Sequence, residues 1–174
     1  IVPQKGPKLI EEGLVQTLEL NGSFLLLGSS PIPSLQEHFN HLKKKYAKNK
    51  NVLLHFEYDE MTAHQIYAAL DFLLMPSHFE PCGLAQLIAM RYGTIPIVRK
   101  TGGLQDTVFD EDAATKRNGF VFKNETKADL VHAIKRAIDL FHKNPEEFQS
   151  LISHAMRQNF SWEKPTQEYL KLYS

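Results

Sequence analysis

Cysteine is nearly absent from this chain. Cys82 is the single one among 174 residues, so no internal disulfide can form and a reducing compartment suits the protein. Net charge is missing too, because 20 Lys and Arg offset 20 Asp and Glu. Nothing global therefore favours nucleic acid or an anionic membrane, and a negatively charged ligand would require a local basic site. No apolar run approaches the roughly 20 residues that span a bilayer. The sequence also shows no initiator Met, signal-peptide pattern, internal repeat or low-complexity tract. Its opening, IVPQKGPKLI, reads as the middle of a longer chain.

What is present is ordinary in bulk and specific in detail. Hydrophobic residues make up 43% and charged residues 23% of the chain, enough for one globular domain over residues 1–174. Short apolar runs alternate with helical periodicity. SFLLLGSS (23–30), NVLLHFEY (51–58), DFLLMPS (71–77), TIPIV (94–98) and GFVF (119–122) are continuous rather than alternating, as in strands covered on both faces. Between them, Leu9, Ile10, Leu14 and Leu18 mark one helix, and Leu35, Phe39, Leu42 and Tyr46 a second. Ile66, Ala69 and Leu70 mark a third, while Leu84, Leu87, Ile88 and Arg91 mark a fourth, closed by Gly93. A fifth follows from Thr126 as N-cap, through Leu130, Ile134, Ala137, Ile138 and Phe141. Two more span Pro145 to Met156 and Trp162 to Tyr173. The expected fold is α/β: a Rossmann-like open parallel sheet with helices on both faces.

Ligands of such sheets bind outside the carboxyl ends of the strands, which directs attention to the strand-to-helix joints. In SHFEPCGLAQLIAMRYG, Pro81 keeps Glu80 extended and is itself tolerated in a helix's first turn. The N–H groups of Cys82, Gly83 and Leu84 would then be unpaired helix N-terminal donors, suited to phosphate. Glu80 has two readings, a helix cap or an acceptor for sugar hydroxyls beside a phosphate. A second joint, Thr101, Gly102 and Gly103, follows Arg99 and Lys100 and permits a tight turn with inward N–H groups. Lys5, in QKG, is placed to neutralise a diphosphate or merely to be solvated. Tyr58 ends an apolar run and either stacks on a base or packs at the core edge.

Other features point to bland roles. Asp110, Glu111 and Asp112 match a D-x-D pattern but read as a solvated cluster in a polar loop. His38 and His41 share a helix face without a third ligand, which argues against zinc. Cys82 has no evident His partner for nucleophilic catalysis. Phe160, Trp162, Tyr169 and Tyr173 read as packing on a terminal helix.

Taken in order, VPQKGPKLI, LLGSSP, FEPCGLAQLIAMRYGTIPIVRKTGGLQDTVFD, NGFVF and the closing FSWEK resemble the C-terminal domain of ADP-glucose-dependent starch and glycogen synthases. The wording is most similar to soluble starch synthases. The resemblance covers nearly the whole chain and implies the second, donor-binding domain of a two-domain GT-B glycosyltransferase. It implies retaining transfer of glucose from ADP-glucose to the non-reducing end of an α-1,4-glucan, without a metal. Acceptor contacts would come from a preceding domain, and the compartment would be bacterial cytoplasm or plastid stroma rather than the secretory route. Neither nucleic acid nor membrane is an implied partner.

By the same resemblance, Lys5 contacts the donor diphosphate and Glu80 holds the transferred glucose and supports the transition state. Cys82, Gly83 and Leu84 supply backbone donors to phosphate, Tyr58 stacks on adenine, and Thr101, Gly102 and Gly103 form a loop near the donor. The chain departs from many relatives at Ala85, where they carry Thr, and at Ile88, where other GT-B families carry a second glutamate. Two alternatives stand beside this reading. One is a GT-B enzyme using UDP-sugars, a transferase or an epimerase; the other is a non-catalytic nucleotide- or glucan-binding domain.

Overall fold

The computed structural model describes residues 1–57, 59–110 and 117–173. Strands and helices alternate as the apolar pattern demands. A 3-10 turn, Pro3–Lys5, leads into α1 (Pro7–Glu19), β1 (Phe24–Leu27), α2 (Pro33–Lys45), β2 (Val52–His55) and α3 (Glu60–Ala69). Next come β3 (Phe72–Met75), α4 (Ala85–Tyr92), β4 (Ile95–Arg99), α5 (Gly102–Thr107) and β5 (Phe120–Phe122). Three helices close the chain: α6 (Lys127–Lys143), α7 (Pro145–Met156) and α8 (Glu163–Tyr173).

All strand pairs among the described residues are parallel. The expected single sheet is instead hydrogen-bonded as two groups, β1–β2 and β3–β4–β5. Phe24 faces Val52 in the first; Phe72 faces Ile95 and Ile97 faces Phe120 in the second. A cleft of about 680 Å³, lined by Phe24 and Leu26 of β1 and by Phe72 and Leu74 of β3, lies between the groups. Helix α1 packs against both β1 and β3 and so joins them through side chains. Apolar runs reveal that a strand is covered on both faces but carry no information on which edges bond, so this division is not legible in the sequence.

Burial follows strand alternation. Ile95 and Ile97 of β4 point into the largest core with Met90, Phe120, Leu130, Ala133, Ala137, Phe148 and Leu151. Val98 points the other way, onto Met75, Leu104 and Val108. Leu14, Phe39, Leu42 and Leu54 form a third cluster under β1 and β2. Thr126 caps α6 as expected, accepting from the Asp129 amide at 3.2 Å, and Gly93 closes α4.

Three expectations fail here. Helix α4 starts at Ala85 with Leu84 as its N-cap, so Pro81 lies in the approach turn rather than in the first helical turn. Its buried face is Gln86, Ala89 and Met90, whereas Leu84 is 66% exposed and Ile88 36%. Of the predicted Leu84–Leu87–Ile88 stripe, Leu87 packs against the main core while Leu84 and Ile88 lie off the buried face, where the helix seats a glutamine inward. The aromatics of the C-terminal segment do not pack either: Phe160, Trp162, Tyr169 and Tyr173 are all exposed.

Candidate functional site

Residues Ser77 to Leu84 leave β3 at its carboxyl end, and other segments tie them down from several sides. Arg99, the last residue of β4, donates from Nε to the Ser77 carbonyl at 2.7 Å and from Nη2 to that of His78. Two of its N–H groups thus brace the backbone of the loop. His78 also donates its amide to the Gln4 carbonyl at 2.7 Å, and its ring faces Glu125 Oε1 at 2.7 Å. A single basic side chain therefore fixes the loop from below while the N-terminal turn fixes it from above.

That N-terminal contact delivers Lys5. Gly6 passes so close over Pro76 that a Cβ there would run into the Pro76 carbonyl oxygen. This approach carries Lys5 onto Glu80, and the ammonium Nζ forms an ion pair with Oε2. The same carboxylate oxygen accepts from Ser77 Oγ at 3.2 Å. The Glu80 side chain is 11% exposed and that of Lys5 45%, so the carboxylate sits in the floor and the lysine reaches in from solvent. Sequence reading missed Ser77; a small polar residue three positions before the glutamate was its only signal.

Thr101, Gly102 and Gly103 meet the backbone of this loop directly. The Gly103 amide donates to the Glu80 carbonyl at 2.9 Å. A side chain on Gly102 would strike that same carbonyl, and one on Gly103 would strike Cys82. Gly102 also adopts a φ of 44°, in the left-handed region that disfavours side chains. The paired glycines thus serve close backbone packing, and one of the expected inward N–H groups is already engaged. Thr101 is the N-cap residue of α5, with its hydroxyl 3.5 Å from the His78 carbonyl.

The amides of Cys82, Gly83 and Leu84 behave otherwise. Among the described residues none of the three has a hydrogen-bond partner, and they precede the N-terminus of α4. Free N–H groups at a helix start suit an anion. The structure therefore brings Lys5, Glu80, Cys82, Gly83, Leu84, Thr101, Gly102 and Gly103 into one place. Tyr58 lies outside the described residues. Gly28 and Ser29, after β1, line the cleft that Lys5 and Ser77 also border, at the carboxyl ends of β1 and β3.

Asp110 does not belong to this site and is not the solvated acid the sequence suggested. Its side chain, 7% exposed, accepts from both terminal nitrogens of Arg136 and from the Val121 amide at 2.6 Å. It is a structural ion pair joining the end of α5 to β5 and α6. Glu111 and Asp112 lie outside the described residues. Among the described residues, no group of three or more His, Cys, Asp or Glu is arranged to share a metal ion, and no helix is long and apolar enough to cross a membrane.

Known proteins resemble this chain in sequence and fold. Over 175 residues, 98% of the chain, the sequence is 46% identical to glycogen synthase 2 of Methylococcus capsulatus and covers 36% of that protein. It is 45% identical to a probable starch synthase 4, chloroplastic/amyloplastic, of Arabidopsis thaliana, covering 100% of the chain and 17% of the relative. Among solved structures it matches the catalytic domain of starch synthase IV from Arabidopsis thaliana, bound to ADP and acarbose. That match has a TM-score of 0.95 at 44% identity and covers 99% of this chain and 36% of that one. The chain thus spans about a third or less of the lengths of these relatives. Its fold is that of a GT-B glycosyltransferase domain. The family model described as glycosyl transferases group 1 matches residues 1–157, and the chain belongs to that family.

Proposed function

We propose that this chain is the donor-binding half of a retaining glucosyltransferase that moves glucose from ADP-glucose to the non-reducing end of an α-1,4-glucan. The observation that carries the proposal is the Lys5–Glu80 pair beside the three unpartnered amides of Cys82, Gly83 and Leu84. Relatives named starch synthase and glycogen synthase, and a structural match bound to ADP, support the choice of substrate.

The chemistry needs both signs of charge in one place. Cleaving a glycosyl–diphosphate bond builds negative charge on the departing oxygen and positive charge on the sugar. Lys5 and the amides address the first, and the Glu80 carboxylate addresses the second. A diphosphate seated on the amides competes with Glu80 for the Lys5 ammonium, freeing the carboxylate to face glucose. Ser77 keeps that carboxylate oriented, while Thr101, Gly102 and Gly103 hold the backbone beneath it. Tyr58 is assigned to adenine by family resemblance alone. No metal is assigned a role, because Lys5 and the backbone donors supply the positive charge.

A preceding domain would bring the glucan and close over the donor, in bacterial cytoplasm or plastid stroma. Water exclusion depends on that closure, so the 174-residue chain should bind ADP weakly and transfer little or no glucose by itself. The test is Glu80→Ala in the complete enzyme, assayed for glucosyl transfer from ADP-glucose to glycogen. Turnover should fall by about 100-fold or more with a modest change in donor KM. Near-normal turnover overturns the assignment.

A further inference from the structure

Gln86 is completely buried on α4, and nothing in the proposed chemistry requires a polar group there. Its Nε2 donates to the Cys82 carbonyl at 3.2 Å, the Gly83 carbonyl at 2.9 Å and the Thr107 hydroxyl at 3.1 Å. Two hydrogens are thus shared among three acceptors. Its Oε1, by contrast, has no hydrogen-bond partner among the described residues. A buried acceptor left unpaired is a cost, so the side chain is held for its donors.

The two carbonyls it holds are the ones that matter geometrically. In a trans peptide the C=O of one residue and the N–H of the next point in opposite directions. Capturing the Cys82 carbonyl from the helix side therefore turns the Gly83 N–H outward, and capturing the Gly83 carbonyl does the same for the Leu84 N–H. These are two of the three unpartnered amides of the site. Gly83 makes the approach possible. Its φ is 74°, and a Cβ at this position would lie 2.5 Å from Gln86 Oε1, so a side chain there would push the glutamine away. Thr107, in turn, anchors to the Gly103 carbonyl at 2.8 Å, linking Gln86 to the loop that supports Glu80.

We propose that Gln86 is a positioning residue that creates the anion-binding backbone by aiming the Gly83 and Leu84 amides at the diphosphate of the bound nucleotide. The inference rests on the nucleotide-sugar reading above, and the ligand chemistry it concerns is a diphosphate. Gln86 contacts no ligand itself; it acts through the two peptide planes.

The test uses ADP, adenosine and inorganic pyrophosphate as probes, with calorimetry and amide resonances as readouts. In the wild-type chain, pyrophosphate and ADP should shift the Gly83 and Leu84 amide signals, and adenosine should not. Gln86→Met and Gln86→Glu remove the donors at similar size. Each should weaken ADP binding about tenfold or more, which corresponds to about 1.4 kcal/mol, while adenosine affinity stays the same. Thr107→Val, a milder change on the far side of Gln86, should weaken ADP by a few-fold with adenosine again unaffected. Melting temperatures identify any variant that fails to fold, and the wild-type amide shifts test the inference without substitution. ADP binding that leaves the Gly83 and Leu84 signals unmoved overturns the role of Gln86 and leaves the nucleotide reading intact. Equal loss of ADP and adenosine in folded variants also overturns it, since that marks a merely structural residue. A wild-type chain that binds neither ADP nor pyrophosphate overturns the nucleotide reading as well.

Discussion

Lys5 and Glu80 are 75 positions apart in sequence and form an ion pair at the carboxyl end of β3. One comes from the turn before α1 and the other from the loop before α4. The pair thus ties the first residues of the domain to the centre of its site, and each partner can be tested through the other.

Removing the ammonium by Lys5→Met leaves the Glu80 carboxylate, 11% exposed, with only the Ser77 hydroxyl as donor among the described residues. The loss in stability should be about 1–2 kcal/mol, below the 3–5 kcal/mol of a fully buried pair because the lysine is half exposed. Adding Glu80→Gln to Lys5→Met should restore most of it, since the unpaired charge is then gone. Urea unfolding of the two single variants and the double variant measures this coupling; strict additivity would contradict it.

Gly102→Ala should be costly for a reason unrelated to helix propensity. The new methyl meets the Glu80 carbonyl at a left-handed φ, and backbone cannot yield as a side chain would. A destabilisation of about 2–4 kcal/mol is expected, with ADP affinity reduced because the Glu80 loop is displaced. Thermal unfolding and calorimetry together check it; an unchanged melting temperature refutes the packing argument.

Asp110 and Arg136 form the structural pair at the opposite end of α5. Arg136→Met strips two of the hydrogen bonds to a carboxylate only 7% exposed and should cost about 2–4 kcal/mol. ADP binding per protein molecule that remains folded should be unaffected, which separates this pair from the site. Weakened ADP binding in folded, soluble variant would show that the separation is wrong.

Acid should weaken the helix starts. Bonds from the Thr62 hydroxyl and amide hold the Asp59 carboxyl below its ordinary 3.8, and the Asn124 amide, with the side chains of Thr126 and Asn124, does the same for Asp129. A depressed folded value means that the unfolded chain takes up protons first. The contribution is therefore complete above pH 3.8 and disappears as pH falls through the lower folded values. Asp129→Asn should be less stable than wild type at pH 7, with the difference shrinking below that threshold. A difference that stays constant with pH, followed by urea midpoints, would refute the capping role.

Several parts of the molecule are legible in the sequence alone. Continuous apolar runs locate all five strands among the described residues, and Thr126 and Gly93 mark helix ends where the structure has them. The joint around Glu80 stands out because a proline, a glycine and a carboxylate interrupt a strand-to-helix passage. Misreadings arise where residue type and burial part company. Trp162 and Tyr173 are 74% and 87% exposed, although aromatics at helical spacing normally signal a core. In α4, ranking by hydrophobicity selects Leu84 and Ile88 for the interior and passes over Gln86, which is fully buried because its amide satisfies backbone carbonyls.

By itself the sequence determined the alternation of elements, the α/β class and the residue types available at each strand end, since these depend on local periodicity and backbone preference. Only the tertiary structure decided which of those residues meet. Lys5 reaches Glu80 because Gly6 lets one segment cross Pro76, and Arg99 reaches the carbonyls of the Ser77 loop because β4 ends beside β3. The free amides before α4 likewise depend on a glutamine inside the helix and a threonine on the next one. Such contacts join positions far apart in the chain, and no periodicity along a single strand or helix encodes them.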